Sequence, residues 1–310
     1  MKRFPSVKSL AKAPQDQVLT LWQGLGYYRR AKHLHMAAKE IDQVYGGKLP
    51  SKSIELKKLK GFGPYTSAAV ASIAFGEPVA CVDGNVIRVL SRLLCLKGNI
   101  QPMADELLDS SCPSDFNQAM MELGARICLP KNPKCSSCPV ATTCQALRRG
   151  CVSEYPAKKA KTQVQEIYTH VFFLHHKKSN SFLARQRPAQ GRWAGLWECP
   201  SLETESETFL AKDLTKLGME KDYLWPLQGV SMFTHLLSHQ KHHVQVYALE
   251  VSKSQCKKIP GQWISMNDQS QYAFSRLQQK AMMMAWDALA APSLLPLAKP
   301  KSTQSKGFFS

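Results

Sequence analysis

Four cysteines close together constrain the fold of this chain more than any other feature of its sequence. They follow the spacing C-x6-C-x2-C-x5-C, which lets four thiolates converge on one centre within a single loop. The prolines and lysines between them predict a polar, irregular loop instead of a core helix with unrelated buried cysteines. An iron-sulfur site is typical of this spacing, and a structural zinc site, which more often uses two C-x2-C pairs set far apart, is the alternative. The four cysteines are Cys128, Cys135, Cys138 and Cys144.

The composition of the 310-residue chain narrows its partners and its compartment. Lys and Arg outnumber Asp and Glu by 41 to 23, and the formal charge of +18 favours a polyanionic partner. The cysteines outside the cluster are scattered, which indicates a reducing compartment and not a disulfide framework. No apolar run approaches the length of a membrane span. We therefore expect a cytoplasmic monomer, nucleoid-associated if the source is bacterial, with no membrane partner.

The hydrophobic pattern changes once along the chain and divides it into two expected domains. Residues 1–152 show helical spacing and predict an all-α domain with the cysteine loop at 128–144. A lysine-rich linker is expected at 153–165, a small mixed α/β domain at 166–292 and a disordered tail at 293–310. The clearest helical segments are 18–22, 34–44, 68–75, 86–94 and 116–123, and the strand segments are 167–174, 182–185, 223–233 and 244–251.

Two further motifs in the helical half suggest chemistry on a polyanion. Residues 59–66, with the sequence LKGFGPYT, predict a tight hairpin between two helices. Gly61 and Gly63 permit backbone conformations closed to other residues, and free amides at a helix start can hold a phosphate. Asp83, in the sequence VDGNV, either caps the next helix or acts as a reactive carboxylate. The hairpin, the aspartate and the cysteine loop follow one another in this order. This combination is a more specific signal than any one of the three motifs alone.

Together these motifs resemble the helix-hairpin-helix DNA glycosylases with a 4Fe-4S loop, and in particular the MutY-type adenine DNA glycosylases, over roughly residues 1–290. The resemblance implies a helix-hairpin-helix glycosylase domain with a 4Fe-4S cluster on the four cysteines, followed by a Nudix-like domain. It implies hydrolysis of the N-glycosidic bond of adenine opposite 8-oxoguanine or guanine in double-stranded DNA, within base excision repair. Tyr65 stands where the endonuclease III branch has its Schiff-base lysine, so a bifunctional glycosylase-lyase is disfavoured.

The resemblance also implies roles for single residues. Asp83 would stabilise or capture the oxocarbenium ion that remains when the base departs, and Asn85 would hold Asp83 by a hydrogen bond. Tyr65 would support the site. Glu122 would line the adenine site, and an ordinary surface position is its alternative.

A second set of residues would contact the DNA around the flipped base. The sequence GLGYY at 24–28 matches the family's intercalation loop, so Leu25 and Tyr27 would wedge into the gap left by the adenine. The alternative is that one or both aromatics of this segment belong to the core. By the same resemblance, Gly61 and Gly63 belong to the hairpin that binds the DNA backbone.

In the second domain, the resemblance points to a turn that recognises 8-oxoguanine. Leu237-Ser238-His239 corresponds to a Phe-Ser-His turn of the family, so Ser238 and His239 are the candidates, although residues 233–235 (Phe-Thr-His) could be mistaken for it. The helix at 212–218 lacks the paired glutamates of Nudix hydrolases, which predicts binding without hydrolysis. The histidines of this region are expected to be solvated strand-end residues without a carboxylate partner.

One expected residue has no counterpart in the sequence. The family's general acid is a glutamate near a Gln-Gln-Thr run, whereas residues 1–15 contain no acidic residue. We therefore expect Met1 to be an internal methionine of a longer protein, or the gene to have lost its start. The alternative function is a catalytically inactive protein that binds DNA lesions on the same scaffold.

Overall fold

The computed structural model describes residues 2–157, 163–219 and 229–290. The chain divides into two compact units, Met1–Gln163 and Val164–Ser310. The predicted tail at 293–310 and the central part of the predicted linker, 158–162, lie outside the described residues. Within the described ranges, no helix is both long enough and apolar enough to span a bilayer.

The first unit is helical in its described part, as the sequence predicts, and its capping residues explain where the helices end. The fifth helix starts at Pro64, where a missing N–H costs nothing, and stops at Gly76, whose φ of 68° breaks the helix. The sixth helix starts at the side-chain cap Asp83. The helices are α1 (Val7–Ala11), α2 (Gln15–Leu21), α3 (Tyr28–Val44), α4 (Ser53–Leu56), α5 (Pro64–Phe75), α6 (Gly84–Leu94), α7 (Gln101–Leu107), α8 (Pro113–Arg126) and α9 (Gln145–Arg148).

Two clusters of buried side chains are seen in the described part of the first unit. One lies where α3, α4 and α5 meet and is centred on Ile41, Leu56 and Ala71. The other joins α6 and α7 through Leu90 and Ala104. Small residues are frequent in both clusters, and they allow the helix backbones to approach closely.

The second unit contains a mixed sheet with a covered surface on each face, which agrees with the predicted α/β domain. Its strands are β1 (Gln165–His176), β2 (Ser181–Gln186), β3 (Trp197–Glu198), β4 (Ser201–Thr204), β5 (Gly229–Leu236), β6 (Gln240–Glu250) and β7 (Gln262–Ser265). The main order is β3-β2-β1-β6-β5, with β4 beside β1 and β7 beside β2. The central pair, β1 and β6, is parallel, and the other named pairs are antiparallel. The predicted strand segment 223–233 begins outside the described residues.

The central strand β1 reads as a continuous apolar run because both of its faces are buried. Successive side chains of a strand point to opposite faces. Val171 and Phe173 therefore pack in the cluster that includes helix α11 (Arg276–Ala290), whereas Phe172 and Leu174 pack in the cluster that includes helix α10 (Ala211–Thr215). These two layers fix the sheet and thereby the turns at its ends.

Candidate active site and cysteine loop

Asp83 lies immediately before α6 and is held there by two hydrogen bonds. Its Oδ1 accepts a hydrogen bond from the backbone N–H of Val86 at 2.8 Å, which is a helix cap. Its Oδ2 accepts from Nδ2 of Asn85 at 2.9 Å. The cap therefore occupies only one of the two oxygens, and the side chain is only partly buried. Capping and an accessible carboxylate coexist at this residue.

Two neutral side chains border this carboxylate. Burial, followed by Cys81 and Asp83, raises the pKa of the Tyr65 hydroxyl, which donates a hydrogen bond to Sδ of Met121 at 3.5 Å. Burial, followed by Asp83, raises the pKa of Cys81 to about 11, so this buried thiol stays protonated at neutral pH. Its Sγ lies 3.9 Å from the backbone oxygen of Tyr65. Sequence reasoning missed Cys81, although its place two residues before Asp83 was a signal.

Arg88 connects the residues around Asp83 to the cysteine loop. Its Nη2 donates to Oδ1 of Asn85 at 2.9 Å and to the carbonyl of Gly124 at 2.7 Å, and its Nε donates to the carbonyl of Cys128 at 2.7 Å. A guanidinium can only donate, so this contact turns the Asn85 oxygen towards Arg88 and the amide NH2 towards Asp83. Sequence reasoning missed Arg88, which lies one helical turn after Asn85.

The closest approach of α6 and α8 occurs at the same place. A Cβ atom on Gly124 would lie 2.6 Å from Cβ of Asn85, a distance that real Cβ atoms do not show. Gly124 therefore lets α8 pack directly over Asn85. Sequence reasoning missed this residue too.

The four cysteines line a single recess beside α6 and α9. The empty space of this recess, including the part open to solvent, is about 310 Å³. The buried Arg92 donates through Nη1 to Sγ of Cys128 at 3.3 Å, and Sγ of Cys144 lies 3.6 Å from the Arg92 carbonyl. Burial, followed by the three other thiols, raises the pKa of Cys135, while Arg92 acts in the opposite direction. The four cysteines therefore line one recess, and the sequence prediction that they share one centre stays a prediction.

The donor set of the recess fits a thiolate-bound inorganic group. Four soft sulfur ligands, an apolar lining and one nearby guanidinium suit an iron-sulfur cluster by their chemistry. The sulfurs are spread around the recess and are not gathered about one point. Within the described residues, no three His, Cys, Asp or Glu side chains are grouped closely enough to hold a single metal ion.

Glu122 lies on the exposed side of α8. Its carboxylate pairs with Arg126 one turn later at 2.6 Å, and both side chains are largely exposed. Glu122 thus occupies a surface position, as the alternative interpretation of the sequence predicts. Its assignment to the adenine site remains a prediction, since Asp83 accepts hydrogen bonds from Asn85 and Val86 while Glu122 accepts one from Arg126.

Leu25 and Tyr27 project into solvent from a short turn before α3. They are 65% and 73% exposed, so the core alternative is wrong for Tyr27, whereas it holds for the second aromatic of the segment, Tyr28, which is buried. The turn is held by a hydrogen bond from Nε1 of Trp22 to the Gly26 carbonyl at 3.0 Å. The guanidinium of Arg30 lies 5.3 Å from the centre of the Tyr27 ring. Both side chains are therefore presented on a constrained backbone.

The two glycines of the hairpin between α4 and α5 differ in what they require. Gly61 has a φ of +87°, and a Cβ there would lie 2.4 Å from Cβ of His33, so both conformation and space demand glycine. Gly63 has a φ of −78° and a ψ of 176°, which any residue adopts, and a Cβ there would meet nothing within 4 Å. Gly61 therefore uses the conformational freedom of glycine and Gly63 does not. Gly63 is exposed at the start of α5.

Ser238 and His239 lie in the tight turn between β5 and β6, and both are exposed. The backbone N–H of Leu237 donates to the carbonyl of Gln240 at 2.8 Å and closes this turn. The competing segment 233–235 lies within β5 and does not form a turn. The structure thus distinguishes the two sequence alternatives by their local geometry.

The expectation of solvated histidines is wrong for His242, which is fully buried. Its Nδ1 lies 2.9 Å from Oγ1 of Thr169, and its Nε2 lies 3.0 Å from Nη1 of Arg192. Because the guanidinium must donate, Nε2 accepts and Nδ1 carries the proton. Burial, followed by Arg192, lowers the pKa of His242 to about 4. His243 has a carboxylate partner after all, since it lies 3.2 Å from Glu166.

In the second unit, Asp213, the acidic residue of the segment 212–218, is already hydrogen-bonded to neighbouring residues. Asp213 accepts from the backbone N–H of Leu210 at 2.9 Å and from Lys216 at 2.8 Å. It is therefore used to cap and stabilise α10. This arrangement is consistent with the predicted loss of metal-dependent hydrolysis.

Comparisons with known proteins cover both units. Residues 1–113 match the family described as HhH-GPD superfamily base excision DNA repair protein, and residues 170–284 match the NUDIX domain family. The chain is 32% identical to adenine DNA glycosylase of Schizosaccharomyces pombe, over 99% of this chain and 79% of that protein. It is 31% identical to the mouse adenine DNA glycosylase over 93% and 67%. It is 36% identical to the Arabidopsis thaliana protein of the same name over 76% of this chain, spanning only 43% of that protein. The predicted fold class is confirmed, and the chain belongs to the adenine DNA glycosylases, a family of base-excision repair hydrolases.

Proposed function

We propose that this chain releases adenine mispaired with 8-oxoguanine or guanine from double-stranded DNA by hydrolysing the N-glycosidic bond. The observation that carries the proposal is the carboxylate of Asp83, which is fixed through both oxygens and still accessible. A carboxylate held in this way can stabilise positive charge without having to reorganise during the reaction. The relatives of the chain are adenine DNA glycosylases, which supports adenine as the base.

The chemistry assigned to Asp83 follows from the charge that develops on the sugar. As the base departs, the deoxyribose becomes an oxocarbenium ion, which a carboxylate beneath the ring stabilises or captures. Asn85 orients this carboxylate, and Arg88 fixes the orientation of Asn85. Tyr65 offers a protonated phenol, which cannot form a Schiff base with the sugar. A glycosylase without an efficient lyase step follows.

Contacts with DNA are assigned to the exposed turns of the first unit. Leu25 and Tyr27 would enter the gap left by the flipped adenine, because they are apolar, exposed and held on a constrained turn. The exposed backbone at Gly63 and the N–H groups of the first turn of α5 beyond Pro64, which has none, would receive a phosphate of the DNA backbone. The formal charge of +18 supports this binding, whose affinity should fall with increasing salt.

The remaining assignments complete the site. Cys128, Cys135, Cys138 and Cys144 would hold a 4Fe-4S cluster, which when bound would order the loop beside α6. Ser238 and His239 would recognise the oxidised guanine opposite the adenine. Glu122 would line the adenine site, for which its exposed salt bridge would have to open.

The test is single-turnover adenine release from duplexes that carry adenine opposite 8-oxoguanine or guanine. Asp83→Asn keeps the size of the side chain and should lower the rate by about 10²–10³-fold, the range seen when one charge-stabilising group is removed. Asp105→Asn, an exposed acid on α7, makes the same change of charge and should keep the rate. A wild-type rate in Asp83→Asn would refute the proposal.

The same experiment separates the alternative function, a catalytically inactive protein that binds DNA lesions. That alternative predicts tight binding to both duplexes with no adenine released by the wild-type chain. Strand cleavage without alkaline treatment would instead indicate lyase activity.

A further inference from the structure

Arg192, in the loop between β2 and β3, connects three parts of the second unit. Its Nη2 donates to both carboxylate oxygens of Glu203 on β4, at 2.6 and 2.5 Å. Its Nη1 donates to Nε2 of His242 at 3.0 Å and to the side-chain oxygen of Gln240, both on β6. The guanidinium also lies 4.9 Å from the centre of the Trp193 ring. Arg192 thus joins β4, β6 and its own loop.

The contact with Gln240 matters because Gln240 directly follows the exposed turn at Ser238 and His239. Its carbonyl accepts the hydrogen bond from Leu237 that closes the turn. Its side-chain NH2 donates to Gln165 at 3.1 Å, and the Gln165 backbone N–H donates to the His239 carbonyl at 3.0 Å. The base of the turn is therefore fixed through Gln240, whose side-chain oxygen rests on Arg192.

The neutral state of His242 keeps this network intact. His242 accepts from Arg192 through Nε2, and a protonated ring would offer an N–H to the guanidinium instead. Burial and the neighbouring Arg192 keep this histidine neutral at physiological pH by lowering its pKa to about 4. The negative charge of Glu203 balances the positive charge of Arg192, so the network carries no uncompensated charge.

We propose that Arg192 is a positioning residue that holds the turn Leu237–His239 in place and thereby sets the preference for 8-oxoguanine over guanine opposite the adenine. The inference rests on the proposed function of this turn. Arg192 acts through Gln240 and not by touching DNA, because its side chain is only 22% exposed and both of its terminal nitrogens are engaged. This role requires the two terminal nitrogens of a guanidinium, because Nη2 donates to Glu203 while Nη1 donates to Gln240 and His242 on β6.

Three variants of the full chain separate positioning from stability. Arg192→Lys keeps the charge and an ion pair with Glu203, but a single ammonium cannot serve both arms of the fork. Gln240→Leu removes the arm that supports the turn. Glu203→Gln is the matched control, because it weakens the ion pair and leaves the arm to Gln240 intact.

The measurement is the ratio of single-turnover adenine release from the 8-oxoguanine duplex to that from the guanine duplex. Arg192→Lys and Gln240→Leu should each lower this ratio about tenfold, which corresponds to the loss of one charge-assisted hydrogen bond. The decrease should come from the 8-oxoguanine duplex, with the rate on guanine within about twofold of the wild type. Glu203→Gln should keep the wild-type ratio. An unchanged ratio in both Arg192→Lys and Gln240→Leu would overturn the inference.

Equilibrium binding to the same two duplexes distinguishes failure of this inference from failure of the proposed function. If the wild type releases no adenine but binds the 8-oxoguanine duplex more tightly than the guanine duplex, the proposed excision of adenine is refuted. The ratio of dissociation constants then tests Arg192, with the same expected tenfold loss in the two variants. If the wild type binds and processes both duplexes equally, the inference about Arg192 is overturned as well.

Discussion

Replacing Gly124 with alanine should impair catalysis while leaving the fold nearly intact. The new Cβ would lie 2.6 Å from Cβ of Asn85 and 3.1 Å from its Cα and carbonyl oxygen. These are backbone or near-backbone atoms, so no flexible side-chain end can move aside. Asn85 must shift, and with it the Nδ2 that donates to Asp83 and the Oδ1 that accepts from Arg88.

The free energy of unfolding and the reaction rate should respond to this change by different amounts. Alanine in place of glycine within a helix stabilises it by about 1 kcal/mol. Overpacking a close contact costs about 1–3 kcal/mol, so the net loss is about 0–2 kcal/mol. A displacement of about 1 Å in a positioned catalytic group can lower a rate by about 10²-fold. We expect a rate loss of this size from a protein that still folds.

The assay compares single-turnover adenine release and thermal unfolding of the wild type, Gly124→Ala and Ala125→Gly. Ala125 is the exposed neighbour of Gly124 on α8, and its change to glycine should cost about 1 kcal/mol of stability with no effect on the rate. A wild-type rate in Gly124→Ala would refute the reasoning, because α8 would then accept the methyl group without moving Asn85. A comparable rate loss in Ala125→Gly would attribute the effect to stability.

Two other predictions follow from the hairpin and from the buried histidine. Gly61→Ala should lower the melting temperature clearly, because the backbone φ at this position is positive and a Cβ atom would clash with His33. Gly63→Ala should keep the melting temperature and weaken duplex binding measured by fluorescence anisotropy. Equal melting temperatures and equal binding of the two variants would contradict this prediction. His242 has a pKa of about 4 when folded and 6.5 when unfolded, so the unfolded state binds its proton first. The stability present above pH 6.5 should be lost progressively as the pH falls from 6.5 towards 4, by up to about 3 kcal/mol. Urea unfolding at pH 7 and pH 5 should show this loss for the wild type and a smaller one for His242→Asn, and identical pH dependence would contradict it.

Local patterns predicted those parts of the molecule that depend on neighbours in sequence. The cap of Asp83 on Val86 spans three residues and follows from the start of one helix, whereas the contact between Asp83 and Asn85 was implied by the family resemblance. The four cysteines lie within 17 positions, and their spacing alone indicates one centre. The apolar run of β1 likewise predicts a strand that is buried on both faces.

Contacts between distant segments could not be predicted in this way. Arg88 reaches Gly124 and Cys128 across 36 and 40 residues, and nothing in its local sequence distinguishes it from an exposed arginine. His242 is buried because β6 pairs in parallel with β1, 73 residues away from it at Thr169. Its position near a strand end indicated exposure, and the sheet partner overrode that indication.

The two hairpin glycines show why residue type alone does not reveal a function. Both are glycines in the same short turn, and both were expected to serve the backbone conformation. Gly61 does so, because His33 on α3 fills the space where a side chain would be. Gly63 has an ordinary conformation and open surroundings, so packing within the first unit gives no reason for glycine there. A residue that the fold does not require to be small is one where an external group can approach the backbone, so we expect Gly61 to serve the fold and we propose Gly63 as the place where a phosphate binds.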